Sequence, residues 1–291
     1  MDPGAGVKRL WRAAALALTV SGCASGQPDI ATLTSNSDQT IWDAGQKALE
    51  RKDWISSRQH FRRIIDGFPQ SPHAAGARLA VGETYVKEGG STNDLLAVGA
   101  YREFLTLYPS HPRSDFAQFQ VAEAYFRRRN GPDRDQTDTR EAVAEFQRLL
   151  DLYPDSAQAE PARARILEAR QNLARSEFLA GYFYQRTREL CRASIARYEV
   201  ILKEYPDYRA LDEVLFRLAE CLQTGGRGPE ALPHLARLLE EYPNSQWAAP
   251  ARQLMAAAAA APPPPSPPVS PSPPPATPAP EKPVASPSPA A

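Results

Sequence analysis

The sequence predicts an all-α fold, a solenoid of five helical hairpins with a capping helix, and three observations carry that prediction. A nine-residue block recurs at 61–69, 101–109, 146–154, 198–206 and 235–243, opening on an aromatic residue or Leu and closing on Pro. The residue before each Pro is aromatic: Phe68, Tyr108, Tyr153, Tyr205 and Tyr242. A small side chain stands four positions ahead of each block (Ser57, Ala97, Ala142, Ser194, Ala231), and an upstream helical stretch carries another near its middle (Gly45, Gly82, Ala122, Gly181, Ala219). Proline ends a helix because it lacks an N–H and its ring clashes with the preceding turn. Small residues at the crossing points let two helices approach closely. Hairpins built this way bury their apolar faces only against neighbours of the same kind.

The pattern resembles the tetratricopeptide repeat, a 34-residue unit of two antiparallel helices. Ahead of the repeats, residues 1–22 form an expected lipoprotein signal peptide. Lys8, Arg9 and Arg12 make a basic start, and residues 13–20 (AAALALTV) an apolar run. That run is well short of the ~20 residues a membrane-crossing helix needs. Val20-Ser21-Gly22-Cys23 resembles a lipobox, in which Cys23 becomes the lipidated first residue. The alternative is an ordinary signal peptide with a chance Cys. Acyl chains such as palmitate on Cys23 anchor a protein to a membrane without spanning it. Ala24, where Asp is absent, is what the lipoprotein pattern associates with outer-membrane sorting. Residues 23–38 are small and polar, a lipidated tether.

The repeats occupy 39–258. Repeats one and five fit the 34-residue frame at 38–71 and 212–245. Repeat two (75–111) carries an insertion at 89–93, and repeat three (115–156) a longer one at 127–140. Residues 157–172 continue as helix into 173–206. There Phe178, Leu179, Tyr182 and Phe183, then Ile195, Tyr198, Ile201, Leu202 and Tyr205, keep helical spacing. Residues 246–261 form the terminal capping helix. The last stretch, 259–291, is nearly all Pro, Ser and Ala, with almost nothing to bury. Its expected state is a disordered, polyproline-II-like tail, either a spacer or a ligand for Pro-binding domains.

Catalytic chemistry finds no foothold. H-E-x-x-H, G-x-S-x-G, P-loop and C-x-x-C patterns are all absent, and the four His (His60, His73, His111, His234) are scattered over different repeats. No cofactor and no metal site is expected. Lys plus Arg and Asp plus Glu are 34 each, so no net field attracts nucleic acid. Cys191 and Cys221 leave two readings open, a disulfide in an oxidising compartment or two buried free thiols. In register, the first helices line a concave peptide groove with Trp42, Gln46, Leu49 and Glu50, then Leu79, Glu83 and Val86, then Phe119, Glu123, Phe126 and Arg127. The alternative for Trp42 and Phe119 is packing within their own hairpins.

Residues 173–186 (LARSEFLAGYFYQR) and 193–206 (ASIARYEVILKEYP) closely resemble the BamD family, lipoproteins of the outer-membrane β-barrel assembly machinery. The likeness extends to L-Y-P-S-H-P at 107–112, D-R-D-Q-T at 133–137 and E-A-V-A-E-F-Q-R-L-L-D-L-Y-P-D-S at 141–156. It covers about 40–245 together with the signal and lipobox. The resemblance implies a non-enzymatic scaffold, lipid-anchored at the periplasmic face of the bacterial outer membrane. Its amino-terminal repeats would receive targeting segments of unfolded outer-membrane proteins, and its carboxy-terminal repeats would dock the barrel protein BamA. Carried over, Arg197 in I-A-R-Y-E, with Glu199 beside it, falls at the docking position, where the Arg would pair with an acidic partner residue. The proline-rich tail and the Cys pair depart from the family pattern. A rival is the CpoB (YbgF) type of periplasmic adaptor of the Tol system, which shares Y-P-x-S repeats. That type carries a coiled coil ahead of about three repeats, whereas residues 24–38 are too short and polar for one. A peptidoglycan hydrolase with repeat domains would need a catalytic constellation for which no residues remain.

Overall fold

The Pro-terminated blocks each close a helix in the same way. The computed structural model describes residues 37–260, so Cys23, the leader and most of the proline-rich tail lie outside the described residues. Within them the order is α1 (Asp38–Glu50), α2 (Trp54–Gly67), α3 (Ala74–Glu88), α4 (Ser91–Leu107), α5 (Ser114–Arg128), α6 (Thr137–Leu152), α7 (Ala159–Thr187), α8 (Cys191–Glu204), α9 (Leu211–Thr224), α10 (Gly228–Glu241) and α11 (Ala248–Ala260). Phe68, Tyr108, Tyr205 and Tyr242 cap α2, α4, α8 and α10 with φ between −135° and −129° and ψ between 54° and 57°. The clash of a proline ring with the residue before it excludes the helical region there, so the aromatic residue must leave the helix. Three residues on, a backbone N–H returns to the aromatic carbonyl in all five turns: Ser71, His111, Ser156, Tyr208 and Ser245, at 2.9–3.2 Å.

The described residues divide into two compact units. One holds everything up to Arg127 together with Leu152–Gln158, the other Arg128–Asp151 and everything from Ala159 onward. In the first unit α1 packs on α2, α2 on α3, and α3 on α4. Its core gathers Ile41, Phe61, Ile64, Leu79, Tyr101, Phe104 and Val121. In the second, α7 packs on α8, α8 on α9, α9 on α10, and α10 on α11. That core contains Phe178, Ile195, Tyr198, Ile201, Leu211, Leu215 and Leu235. No helix among the described residues is long and apolar enough to cross a membrane.

Small-against-large crossing is the repeated device. A Cβ on Gly45, Gly82 or Gly181 would lie 2.7 Å from a ring carbon of Phe61, Tyr101 or Tyr198 respectively. All three rings are fully buried. Ser57, the small residue ahead of the first block, donates its hydroxyl to the Gly45 carbonyl at 3.0 Å. Overpacking a rigid core costs about 1–3 kcal/mol. Gly82→Ala is accordingly expected to destabilise the first unit by about 2 kcal/mol in urea unfolding, because the buried Tyr101 ring has nowhere to retreat. A loss under about 0.5 kcal/mol would contradict close packing at this crossing.

Two expected insertions take other forms. In repeat two only Gly89 and Gly90 form a turn, with φ of +77° and +93° that glycine adopts without strain. Ser91–Asn93 instead become the first turn of α4, which has 17 residues against 14 in α2, α8 and α10. In repeat three the helices reach further in, α5 to Arg128 and α6 from Thr137. The remaining link, 129–136, folds around the buried Gln136 amide. Its Nε2 donates to the carbonyls of Gly131 (2.6 Å) and Arg134 (3.0 Å), and its Oε1 accepts from Asn172 of α7 at 2.7 Å. The D-R-D-Q-T stretch is thus an internal anchor on α7. The expected extended helix is α7 itself, 29 residues long. The expected cap is α11, preceded by Trp247 stacked on Phe216 at 4.9 Å.

Candidate functional site

The two surfaces that the sequence predicts to bind partners fall in different units, the groove residues in the first and Arg197 and Glu199 in the second. In the first unit the predicted groove residues separate into three groups. Leu49, Leu79 and Phe126 are core residues at 9%, 1% and 3% exposure, which corrects their placement in a groove. Leu79 lies in a run, Leu79–Gly82, in which four consecutive residues are buried. A helix covered on several sides presents no single outward stripe.

A second group holds the repeats together. Trp42 stacks flat on His73 (5.1 Å between centroids, 16° between planes) and tilts against Phe61 at 5.3 Å. Its indole also lies over Gly76, where a Cβ would meet it at 3.0 Å. The packing alternative for Trp42 therefore holds, with its contacts reaching into the next repeat. Glu83 pairs with Arg113 at 2.8 Å. Arg127 grips the buried Asp94 in the first turn of α4, donating from Nε at 2.9 Å and Nη2 at 2.7 Å. Neither charge is idle. The third group comprises Gln46, Val86, Phe119 and Glu123, all half-buried, with Glu50 exposed. These residues mix apolar and polar character at the surface of α1, α3 and α5.

Polar clamps that sequence reasoning missed fix these first helices to the Pro turns. Ser71 donates to Asp38 at 2.5 Å, Ser156 to Asp115 at 2.6 Å and Ser245 to Asp212 at 2.5 Å. Each Asp opens the first helix of its own repeat. Each serine oxygen also accepts the backbone N–H two residues on, at 3.0–3.1 Å. The Ser71 bond holds the Asp38 carboxyl below its ordinary range. In repeat two His111 takes the serine's place and accepts the Arg113 N–H at its Nδ1, 3.1 Å. In repeat four Arg170 of α7 donates to both oxygens of Asp207 (2.7 and 3.2 Å) and to the Glu204 carbonyl at 2.9 Å. The guanidinium holds Asp207 below the usual carboxylate range. The available signal was an Asp in the first helical turn recurring with a Ser two positions after the block's Pro, at Ser71, Ser156 and Ser245.

In the second unit, Arg197 and Glu199 both stand exposed on α8. Arg197 donates to Glu177 of α7 at 2.8 Å, while its side chain keeps 46% of its surface in water. The same unit leaves Tyr182, Phe183, Leu190 and Val200 between 37% and 53% exposed. Beneath the surface a polar chain joins three helices. Tyr198 Oη donates to Gln185 Oε1 (2.8 Å), Gln185 Nε2 to Glu220 (3.2 Å), and Arg217 to the same Glu220 oxygen (2.8 Å). Arg217 is 7% exposed and its guanidinium lies 4.5 Å over the Trp247 ring. Cys191 and Cys221 are both free thiols, Cys191 half-buried and Cys221 buried. Cys23, the expected lipidation site, lies outside the described residues.

Comparison with known proteins gives a consistent result. The YfiO family model, described as outer membrane lipoprotein, matches residues 34–228, and a tetratricopeptide-repeat model matches 213–245. Among similar proteins, the outer membrane protein assembly factor BamD of Caulobacter vibrioides is 27% identical over 242 residues, covering 82% of this chain and 78% of that one. The proteins of the same name from Vibrio cholerae and Neisseria meningitidis serogroup A are each 26% identical. They cover 72% and 85% of this chain, and 89% and 96% of their own lengths.

Proposed function

The chain belongs to the YfiO family of outer membrane lipoproteins, and from that premise we propose that it is a non-catalytic assembly factor for outer-membrane β-barrel proteins. The observation that carries this reading is the extent of the match, which runs through both units and recurs in relatives named as assembly factors. The same match favours this role over that of a Tol-system adaptor.

The finer assignment gives each unit its own partner. Targeting segments of unfolded outer-membrane proteins bind the first unit beside Gln46, Val86, Phe119 and Glu123. The second unit docks a BamA-like barrel protein through Arg197 and Glu199. Lipidated Cys23 anchors the chain at the periplasmic face of the outer membrane. Arg197 suits docking because its own side chain keeps 46% of its surface in water although it pairs with the largely covered Glu177, and an ion pair with one partner this exposed is worth about 1 kcal/mol. A desolvated carboxylate on a partner outcompetes it, since close charge pairs across interfaces couple by about 1.5–7 kcal/mol.

The test is co-purification of BamA with tagged full-length protein. Arg197→Glu repels both Glu177 and an acidic partner, and retention is expected to fall about tenfold or more, with the helical circular dichroism unchanged. Arg197→Lys keeps the charge and should retain part of the binding. Undiminished retention with Arg197→Glu would remove Arg197 from the interface.

A further inference from the structure

We propose that Cys191 and Cys221 form a thiol–disulfide exchange site in which a disulfide oxidant entering beside α8 is converted to two thiols while α8 becomes bridged to α9. Three observations carry this. Both thiols are free. The first residue of α8 and a buried residue of α9 meet across packed helices, Cys191 lying against the buried apolar cluster that contains Cys221 and Ile195. Finally, access is one-sided. Cys191 lines an open cleft of about 310 Å³ with Gln185, Arg186, Glu189, Glu220 and Thr224, whereas Cys221 is fully buried.

The asymmetry sets the order of events. The Cys191 thiolate attacks one sulfur of the oxidant, forming a mixed disulfide and expelling the other half as a thiolate that takes up a proton. The Cys221 thiol then loses its proton and attacks the Cys191 sulfur, expelling the second half as a thiol. In sum, two protein thiols lose two electrons and two protons, and the oxidant's disulfide gains them. Burial first, and then the neighbouring Cys191, push the Cys221 thiol well above its ordinary range. Cys221 is therefore unsuited to open the reaction and suited only to resolve it at close quarters. Closing the bridge requires little rearrangement, because α8 and α9 are already packed together. The inference is independent of the partner assignments above.

The experiment treats folded, full-length protein with oxidised glutathione, then denatures it, alkylates the remaining thiols and maps peptides by mass spectrometry. The expected product is one peptide pair joined through Cys191 and Cys221, two hydrogens lighter than the reduced pair, with neither residue alkylated. Cys221→Ser should stop at a single glutathione on Cys191. Cys191→Ser should leave Cys221 unmodified until the protein is unfolded. Wild-type protein that keeps both residues alkylatable, or carries one glutathione on each, would overturn the proposal.

Discussion

Tyr198→Ala is expected to cost the second unit about 4 kcal/mol, since removing a fully buried aromatic ring forfeits its transfer energy and leaves a cavity. The ring is completely covered, lies against Gly181 and Phe178, and reaches Gln185 through its hydroxyl. The crossing cannot collapse to fill the space, because α7 and α8 are each held elsewhere by Arg170, Asp207 and the Pro206 turn. Urea unfolding of the full chain measures the loss. Peptide-level amide exchange should locate it in α7, α8 and α9. Tyr198→Phe keeps the ring and surrenders one hydrogen bond, about 1 kcal/mol. Gly181→Ala should be costly in the parent protein but nearly free in the Tyr198→Ala background, where the opposing ring is gone. Strictly additive losses would contradict a direct glycine–tyrosine crossing.

Arg217→Ala comes next, at about 3 kcal/mol, the range for removing one member of a buried ion pair. Its guanidinium sits between Glu220 at 2.8 Å and Glu213 at 3.6 Å and stacks on Trp247. Both carboxylates are largely covered, with 29% and 23% of their side-chain surface exposed, so neither regains full hydration when the cation leaves. The same truncation removes the surface on which Trp247, at the entry to α11, is seated. Amide exchange should therefore rise in α11 together with α9. Arg217→Met restores the apolar stem without the charge and should recover part of the loss. Exchange confined to α9 would show that Trp247 does not depend on Arg217.

The repeat pattern was legible because its signals are local. An aromatic–Pro pair ends a helix wherever it falls, and a glycine 16–19 positions before an aromatic residue marks a crossing, as with Gly45 and Phe61, or Gly82 and Tyr101. The groove was less legible. Leu49, Leu79 and Phe126 keep helical spacing with the surface residues, but their helices are packed on more than one side. A periodicity that assumes one buried face assigns such residues to the open side. Glu83 and Arg127 look like solvated groove charges, yet their partners, Arg113 and Asp94, lie 30 and 33 positions away. Glu213, Arg217 and Glu220 stand at i,i+4 and i,i+3 spacing on one helix, a local signal, while Trp247, which completes that site, enters from the approach to α11 and is not local. The repeat frame puts Cys191 at the start of α8 and Cys221 in α9, two helices that pack on each other. Their redox state is not legible in the sequence, because it depends on access, and only Cys191 reaches the surface.

The claim that α8 presents Arg197 and Glu199 to a barrel partner is tested most directly by photocrosslinking in living cells. A photoreactive residue placed at the exposed position 199 should yield a single major adduct, identified by mass spectrometry as a BamA-like barrel protein, and Arg197→Glu in the same chain should abolish it. Adducts with Tol proteins, or an adduct indifferent to Arg197→Glu, would contradict that claim.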